Sequence, residues 1–278
     1  MASVGDWKVP SSAWPRPENY SYDLDAALSA VVGVRAVVPP DAFTADTLGT
    51  ERAGNGVLIG ADGLVLTIGY LVTEAETIWL SLIDGRKVPG TVLAYDQTTG
   101  FGLIQALARL NLPALRIGDS GATSVGDQVV VAGAGGRERS VAARIVAKQE
   151  FAGYWEYVVD EAIFTAPSHP NWGGCAVIGQ NGDLIGIGSL QLQEGRENGP
   201  PGDLNMIVPI DLLKACRIND HLPHPRRSLG VMKHNSLRGI GLLHRLLGKG
   251  SRHRNRCKSP FVIEPCDQPT NHCEIEDT

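Results

Sequence analysis

Two side chains with the chemistry for covalent catalysis, His169 and Cys175, lie six residues apart in the segment APSHPNWGGCAVIG. A thiol is an intrinsically reactive nucleophile once deprotonated, and an imidazole within about 3 Å is the usual base that takes its proton. His169 is also the only histidine before position 221. The competing reading is structural: Cys175 opens an apolar run, where a small buried residue starts a strand, and His169 decorates a loop. No partner ligands at sensible spacing accompany His169, so neither a metal site nor a cofactor is expected. The glycines of VVVAGAGGRE follow a β-type run with no helix after them and lack the GxGxxG spacing, which points to a tight turn rather than a phosphate cradle.

Such a loop must be positioned by strands. From Gly54 onward the chain breaks into eleven short apolar runs: GNGVLIG, GLVLTI, ETIWLSLI, KVPGTVLAY, FGLIQAL, DQVVVAG, SVAARIVAK, YWEYVVDE, GGCAVIG, DLIGIGSL and NMIVPI. With no long helix between them, an all-β fold of antiparallel barrels or a sandwich is expected. Upstream, YDLDAALSAVVGVRAVV gives a short helix running into a strand that ends near Val38. Asp62-Gly63 and Asn181-Gly182 each sit between apolar runs, predicting two-residue hairpins with positive φ at both central positions. PIDLLKA, with Asp211 in its first turn, reads as a closing helix, so the body should end near Cys216.

The blocks GNGVLIGADGLVLTIGYLV, AYDQTTGFGLIQ and APSHPNWGGCAVIGQNGDLIGIGS occur in the order of three signatures of the HtrA/Deg branch of trypsin-like serine proteases. Those signatures run approximately GSGxIxxxDGxxxTNxHV, D-x-x-x-D-L-A-L, and G-N-S-G-G-A followed by N-G-x-L-I-G-I. The chain resembles this family over roughly residues 30–215. The resemblance implies a trypsin-like double six-stranded β-barrel with short terminal helices, spanning about 25–220, its barrels meeting near 110–125.

The same resemblance puts the family's general-base histidine on Tyr70, its orienting aspartate on Gly100 and its nucleophilic serine on Gly173. Acyl transfer needs a nucleophile, a base to take its proton and a carboxylate to fix the base's tautomer. Glycine offers none of these, and a phenol with pKa near 10 is a poor base at neutral pH. Ser124, Ser168 and Ser189 all lie outside the matching position. The family's oxyanion hole uses backbone amides that map onto Asn171, Trp172, Gly173, Gly174 and Cys175. The implied function is that of a pseudoprotease, taking extended peptides or unfolded protein segments by strand addition beside the second barrel. The alternative is an active endopeptidase with an unrecognised nucleophile such as Cys175.

Composition bounds the rest. The 278 residues are 43% hydrophobic, enough for one large all-β domain or two small ones. No stretch approaches the roughly 20 apolar residues that cross a bilayer, and the N-terminus lacks a secretory pattern, so a cytoplasmic location is expected. Five cysteines without a CxxC pair suggest free thiols. Residues 1–24, with Pro10, Pro15 and Pro17, read as a flexible leader. The net charge of −5 hides an asymmetry: residues 221–278 carry 10 Lys and Arg against 5 Asp and Glu, giving +5 beside a body at −10. RRSLGV (226–231) resembles the family's entry into a PDZ domain, and the resemblance stops there. The segment after Val231 is basic, with Leu237, Ile240, Leu243, Leu246 and Leu247 at roughly helical spacing. It suits either contact with anionic surfaces or a disordered remnant left by truncation or a reading-frame change. Specific nucleic-acid binding is not expected, and Trp7, Trp14, Tyr20 and Tyr22 only hint at family-like assembly.

Overall fold

A computed structural model describes residues 7–152, 158–194 and 202–215. Twelve strands form two closed antiparallel barrels. The first comprises β1 (Val31–Val37), β2 (Glu51–Leu58), β3 (Leu64–Ile68), β4 (Thr77–Ser81), β5 (Lys87–Tyr95) and β6 (Phe101–Ala106), closing in the order β1-β2-β3-β6-β5-β4. The second comprises β7 (Gln128–Ala132), β8 (Ser140–Ala152), β9 (Val158–Ala166), β10 (Ala176–Ile178), β11 (Leu184–Glu194) and β12 (Gly202–Pro209), closing as β10-β11-β12-β9-β8-β7. Every apolar run read from the sequence became a strand, because closure buries one face of each and removes sheet edges. β9 continues through AIFTA to Ala166, further than YWEYVVDE suggested; positions 153–157 of that run lie outside the described residues. The barrels are joined by the stretch from Leu107 to Asp127, where Leu110 and Leu115 are buried and Leu115 N–H donates to the Leu58 carbonyl.

The two sharp hairpins form, but not with the expected geometry. Of each pair only the glycine has positive φ, Gly63 at 91° and Gly182 at 80°. The Gly63 N–H closes on the Gly60 carbonyl and the Gly182 N–H on that of Gly179, four-residue turns that end on a left-handed glycine. A turn of this kind matches the right-handed strand twist without forcing Asp62 or Asn181 into the left-handed region.

Helix α1 (Leu24–Ser29) is capped by Asp23, which accepts from Ala26 N–H, and leads directly into β1. A short helix α2 (Ala45–Leu48) lies in the β1–β2 connection, and α3 (Asp211–Ala215) follows β12 with Asp211 in its first turn. The leader from Trp7 onward is docked against the second barrel, which differs from the flexible segment read from its prolines. Val9 is buried within that barrel's core, Trp7, Ala13 and Trp14 pack on it, and Trp14 Nε1 donates to the Val9 carbonyl at 2.9 Å. The two tryptophans supply apolar area that the prolines do not advertise, and the prolines set the two short 3₁₀ turns of the leader. No helix among the described residues is long and apolar enough to cross a membrane. The basic segment from 221 to 278, and Cys216, Cys257, Cys266 and Cys273, lie outside the described residues.

Candidate functional site between the barrels

Tyr70 sits on a 3₁₀ turn, Gly69–Leu71, immediately after β3. The turn is pinned from β2 by Arg52, 4% exposed, whose guanidinium donates to the carbonyls of Tyr70 (2.8 Å), Thr73 (2.9 Å) and Gly49 (3.1 Å) and to Thr44 Oγ1 (2.7 Å). On its other side the Gly69 N–H donates to the Gly100 carbonyl at 2.6 Å. Gly69 is required for that approach, since a Cβ there would run into the Tyr95 ring. The fold therefore holds Gly100 against the turn that carries Tyr70.

The phenol then reaches across to the second barrel. Tyr70 Oη donates to the Ser189 carbonyl at 3.0 Å, and a Cβ built on Gly173 would lie only 2.6 Å from that hydroxyl. Ser189 sits at a register shift between Gly188 and Leu190 in the β11–β12 ladder. The three positions that the family resemblance singled out are thus brought together, Gly100 against the turn that carries Tyr70 and Gly173 against the phenol.

Gly173 lies in the loop between β9 and β10, together with His169, Asn171, Trp172, Gly174 and Cys175. A residue that the sequence motifs contain but did not single out governs this loop. Asn55 on β2, 1% exposed, donates from Nδ2 to the carbonyls of Asn171 (3.0 Å) and Gly173 (3.1 Å) and to Cys175 Sγ (3.3 Å), and its Oδ1 accepts from Ala134 N–H (2.9 Å). Its backbone N–H donates to Gly173 O at 2.8 Å. The available signal was asparagine in GNG where the family pattern carries serine. Arg52 carried no motif at all.

His169 and Cys175 meet, with Nδ1 and Sγ 3.6 Å apart, but both are fully buried. The imidazole takes the Asn171 N–H on Nδ1 (3.1 Å), which puts its proton on Nε2 facing the Arg139 carbonyl (2.9 Å). Burial lowers the His169 pKa to about 4, so it stays neutral near pH 7. Burial likewise pushes the Cys175 thiol well above its ordinary value, and Sγ donates to the Asn171 carbonyl at 2.9 Å. A neutral imidazole facing a protonated thiol is the reverse of the thiolate–imidazolium pair that cysteine nucleophiles use. Ser189 is also fully buried.

Two surfaces adjoin this constellation. A cleft of about 770 Å³ is lined by Trp7, Arg35, Glu51, Asn55, Arg139 and Asn171 among others. On β11, the stretch from Leu190 to Gln193 is paired with β12 along one edge and, among the described residues, with no strand along the other.

Comparison with known proteins fits this geometry. Residues 54–187 match the trypsin-like peptidase domain family. The periplasmic serine endoprotease DegP of Escherichia coli K12 is 31% identical over 188 residues, covering 64% of this chain and 38% of that protein. The serine protease PepD of Mycobacterium tuberculosis H37Rv is 25% identical over 274 residues, covering 88% of the chain and 59% of PepD. The chain thus spans less than two thirds of the length of either relative. Among solved structures, the HtrA-type protease AlgW with tripeptide superposes with a TM-score of 0.55 at 20% identity, covering 72% of this chain and 64% of AlgW. AlgW with decapeptide gives 0.51 at 21% identity, covering 69% and 65%. The chain is therefore similar to the trypsin-like peptidase domain family over residues 54–187, and its twin barrels share the fold of the HtrA-type protease AlgW.

Proposed function

We propose that this protein is a pseudoprotease: a catalytically inactive HtrA-type homologue that holds extended peptides or unfolded segments instead of cutting them. The observation that carries this reading is the close approach of Tyr70 to Gly173, a Cβ on the glycine falling 2.6 Å from the phenol oxygen, at the two positions where the family resemblance expects base and nucleophile. At most the residual acceleration of a triad-less site, roughly 10³ to 10⁴-fold over water, would be left. Binding is supported by the single-edged stretch of β11 and by the peptides carried by the AlgW structures of the same fold. The proposal also places the protein in the cytoplasm, unlike DegP, whose name is periplasmic, and lets the basic residues of 221–278 contact anionic surfaces.

Fluorescently labelled fragments of unfolded casein test both halves. Their anisotropy should rise saturably with protein, and mass spectrometry should recover them whole. Flat anisotropy contradicts binding; cleavage of the labelled fragments contradicts inactivity.

A further inference from the structure

We infer that the loop carrying Gly173 is latched from two sides, by Asn55 and His169, so that the scaffold would remain poorly active even with the three catalytic side chains put back. The inference rests on the pseudoprotease reading of this site.

Stabilising a tetrahedral intermediate requires backbone N–H groups aimed out of the loop, about 3 Å from where the oxyanion will sit. Here three of the five amides from Asn171 to Cys175 are turned to other work. Asn171 N–H, one of the positions matching the family's oxyanion loop, donates inward to His169 Nδ1 at 3.1 Å. Gly174 N–H donates to Gly188 O at 2.9 Å, and Cys175 N–H to Trp172 O at 3.1 Å. An amide has one proton, so an amide held by His169 has none to offer a substrate oxygen.

The loop is kept in this arrangement by side chains that are themselves fully engaged. Asn55 reaches from the first barrel, gripping the carbonyls of Asn171 and Gly173 while Ala134 N–H holds its Oδ1. His169 is fixed at its backbone N–H by Asn205 Oδ1, at Nε2 by the Arg139 carbonyl, and at its ring by Trp7, whose centroid is 5.0 Å away. Asn55 and His169 are therefore positioning residues, acting on chemistry only through the loop amides. Buried hydrogen-bonded groups of this kind are costly to leave unpaired, so the loop cannot turn its amides outward without breaking several bonds at once.

The test starts from the full chain carrying Tyr70→His, Gly100→Asp and Gly173→Ser, and adds either Asn55→Ser or His169→Leu. Turnover of unfolded casein should be slow in the triple variant and should rise about 10 to 1000-fold on adding one of the latch substitutions, the range of a recovered oxyanion donor. In the native background, amide hydrogen exchange at Asn171 should accelerate at least about tenfold in His169→Leu while the β7 and β12 amides stay protected, a readout that general destabilisation would not single out. A gain from either added substitution supports the latch. Equal turnover in the triple variant and in both extended variants, whether high or absent, overturns it. Failure of the pseudoprotease reading is separate, since that would show as casein cleavage by the native chain.

Discussion

Tyr70 spends its only hydroxyl proton on the carbonyl of Ser189, which sits at the register shift in β11 next to the single-edged stretch from Leu190 to Gln193. An incoming strand would need that carbonyl for its own N–H. Tyr70→Phe should therefore tighten binding of unfolded peptide about two- to tenfold, the worth of one neutral hydrogen bond, as read by the same anisotropy titration. Unchanged or weaker binding would separate Ser189 from the peptide site. His169 makes a pH-dependent prediction. Its folded pKa is lowered to about 4 from an ordinary 6.5, so the unfolded chain binds the proton first. The contribution is complete above pH 6.5 and is lost as pH falls from there through 4, in total on the order of 3 kcal/mol. Urea unfolding at intervals from pH 7.5 to 4, compared with His169→Leu, should show a native slope in that window that the variant lacks, and an NMR titration should place the His169 pKa below 5.

The elements were legible to different degrees. Runs such as GLVLTI and DQVVVAG declared their strands because closed barrels bury nearly all of β3 and β7. The flanking blocks fix a register that singles out Tyr70, Gly100 and Gly173 from the sequence, and the fold brings these positions close together. Arg52 and Asn55 were not, because a buried polar side chain is explained only by the backbone groups around it, and those come from segments distant in sequence: Thr44, Tyr70 and Thr73 for the first, Ala134, Asn171 and Gly173 for the second. The hairpin geometry was missed because sequence alone does not give the position of the turn within GADG and GQNG. Arg52 holds the α2 connection and the Tyr70 turn together without a carboxylate at ion-pair distance among the described residues. Arg52→Ala should lower stability by about 3 kcal/mol through orphaned carbonyls, a fall in Tm of roughly 6–12 °C. Arg52→Lys, unable to form the fork, should recover only part of it. A shift under about 2 °C for the alanine variant would show that the hub contributes little.

For the whole molecule, the leader matters as much as either barrel's loops. Trp7 packs on His169, Arg139 lies 4.4 Å from its ring centroid and bonds to its carbonyl at 2.7 Å, and Val9 completes the core that contains Cys175. Deleting residues 1–14 should cost about 3–6 kcal/mol, the transfer energy of two or three large apolar side chains, and should expose Cys175 to a thiol reagent under native conditions. In the intact protein Cys175, which is fully buried, should react only as fast as the barrel opens. Equal reactivity in the two would detach the leader from the thiol's protection.

Inactivity of this scaffold toward the peptide bond is the central claim, and it is open to direct measurement. Purified native chain and its Cys175→Ala variant are incubated with unfolded casein at pH 7.5 beside a DegP control. Neither protein should release fragments above the buffer background while DegP degrades the substrate. Cleavage by the native chain that Cys175→Ala abolishes would contradict the pseudoprotease reading and make Cys175 the nucleophile.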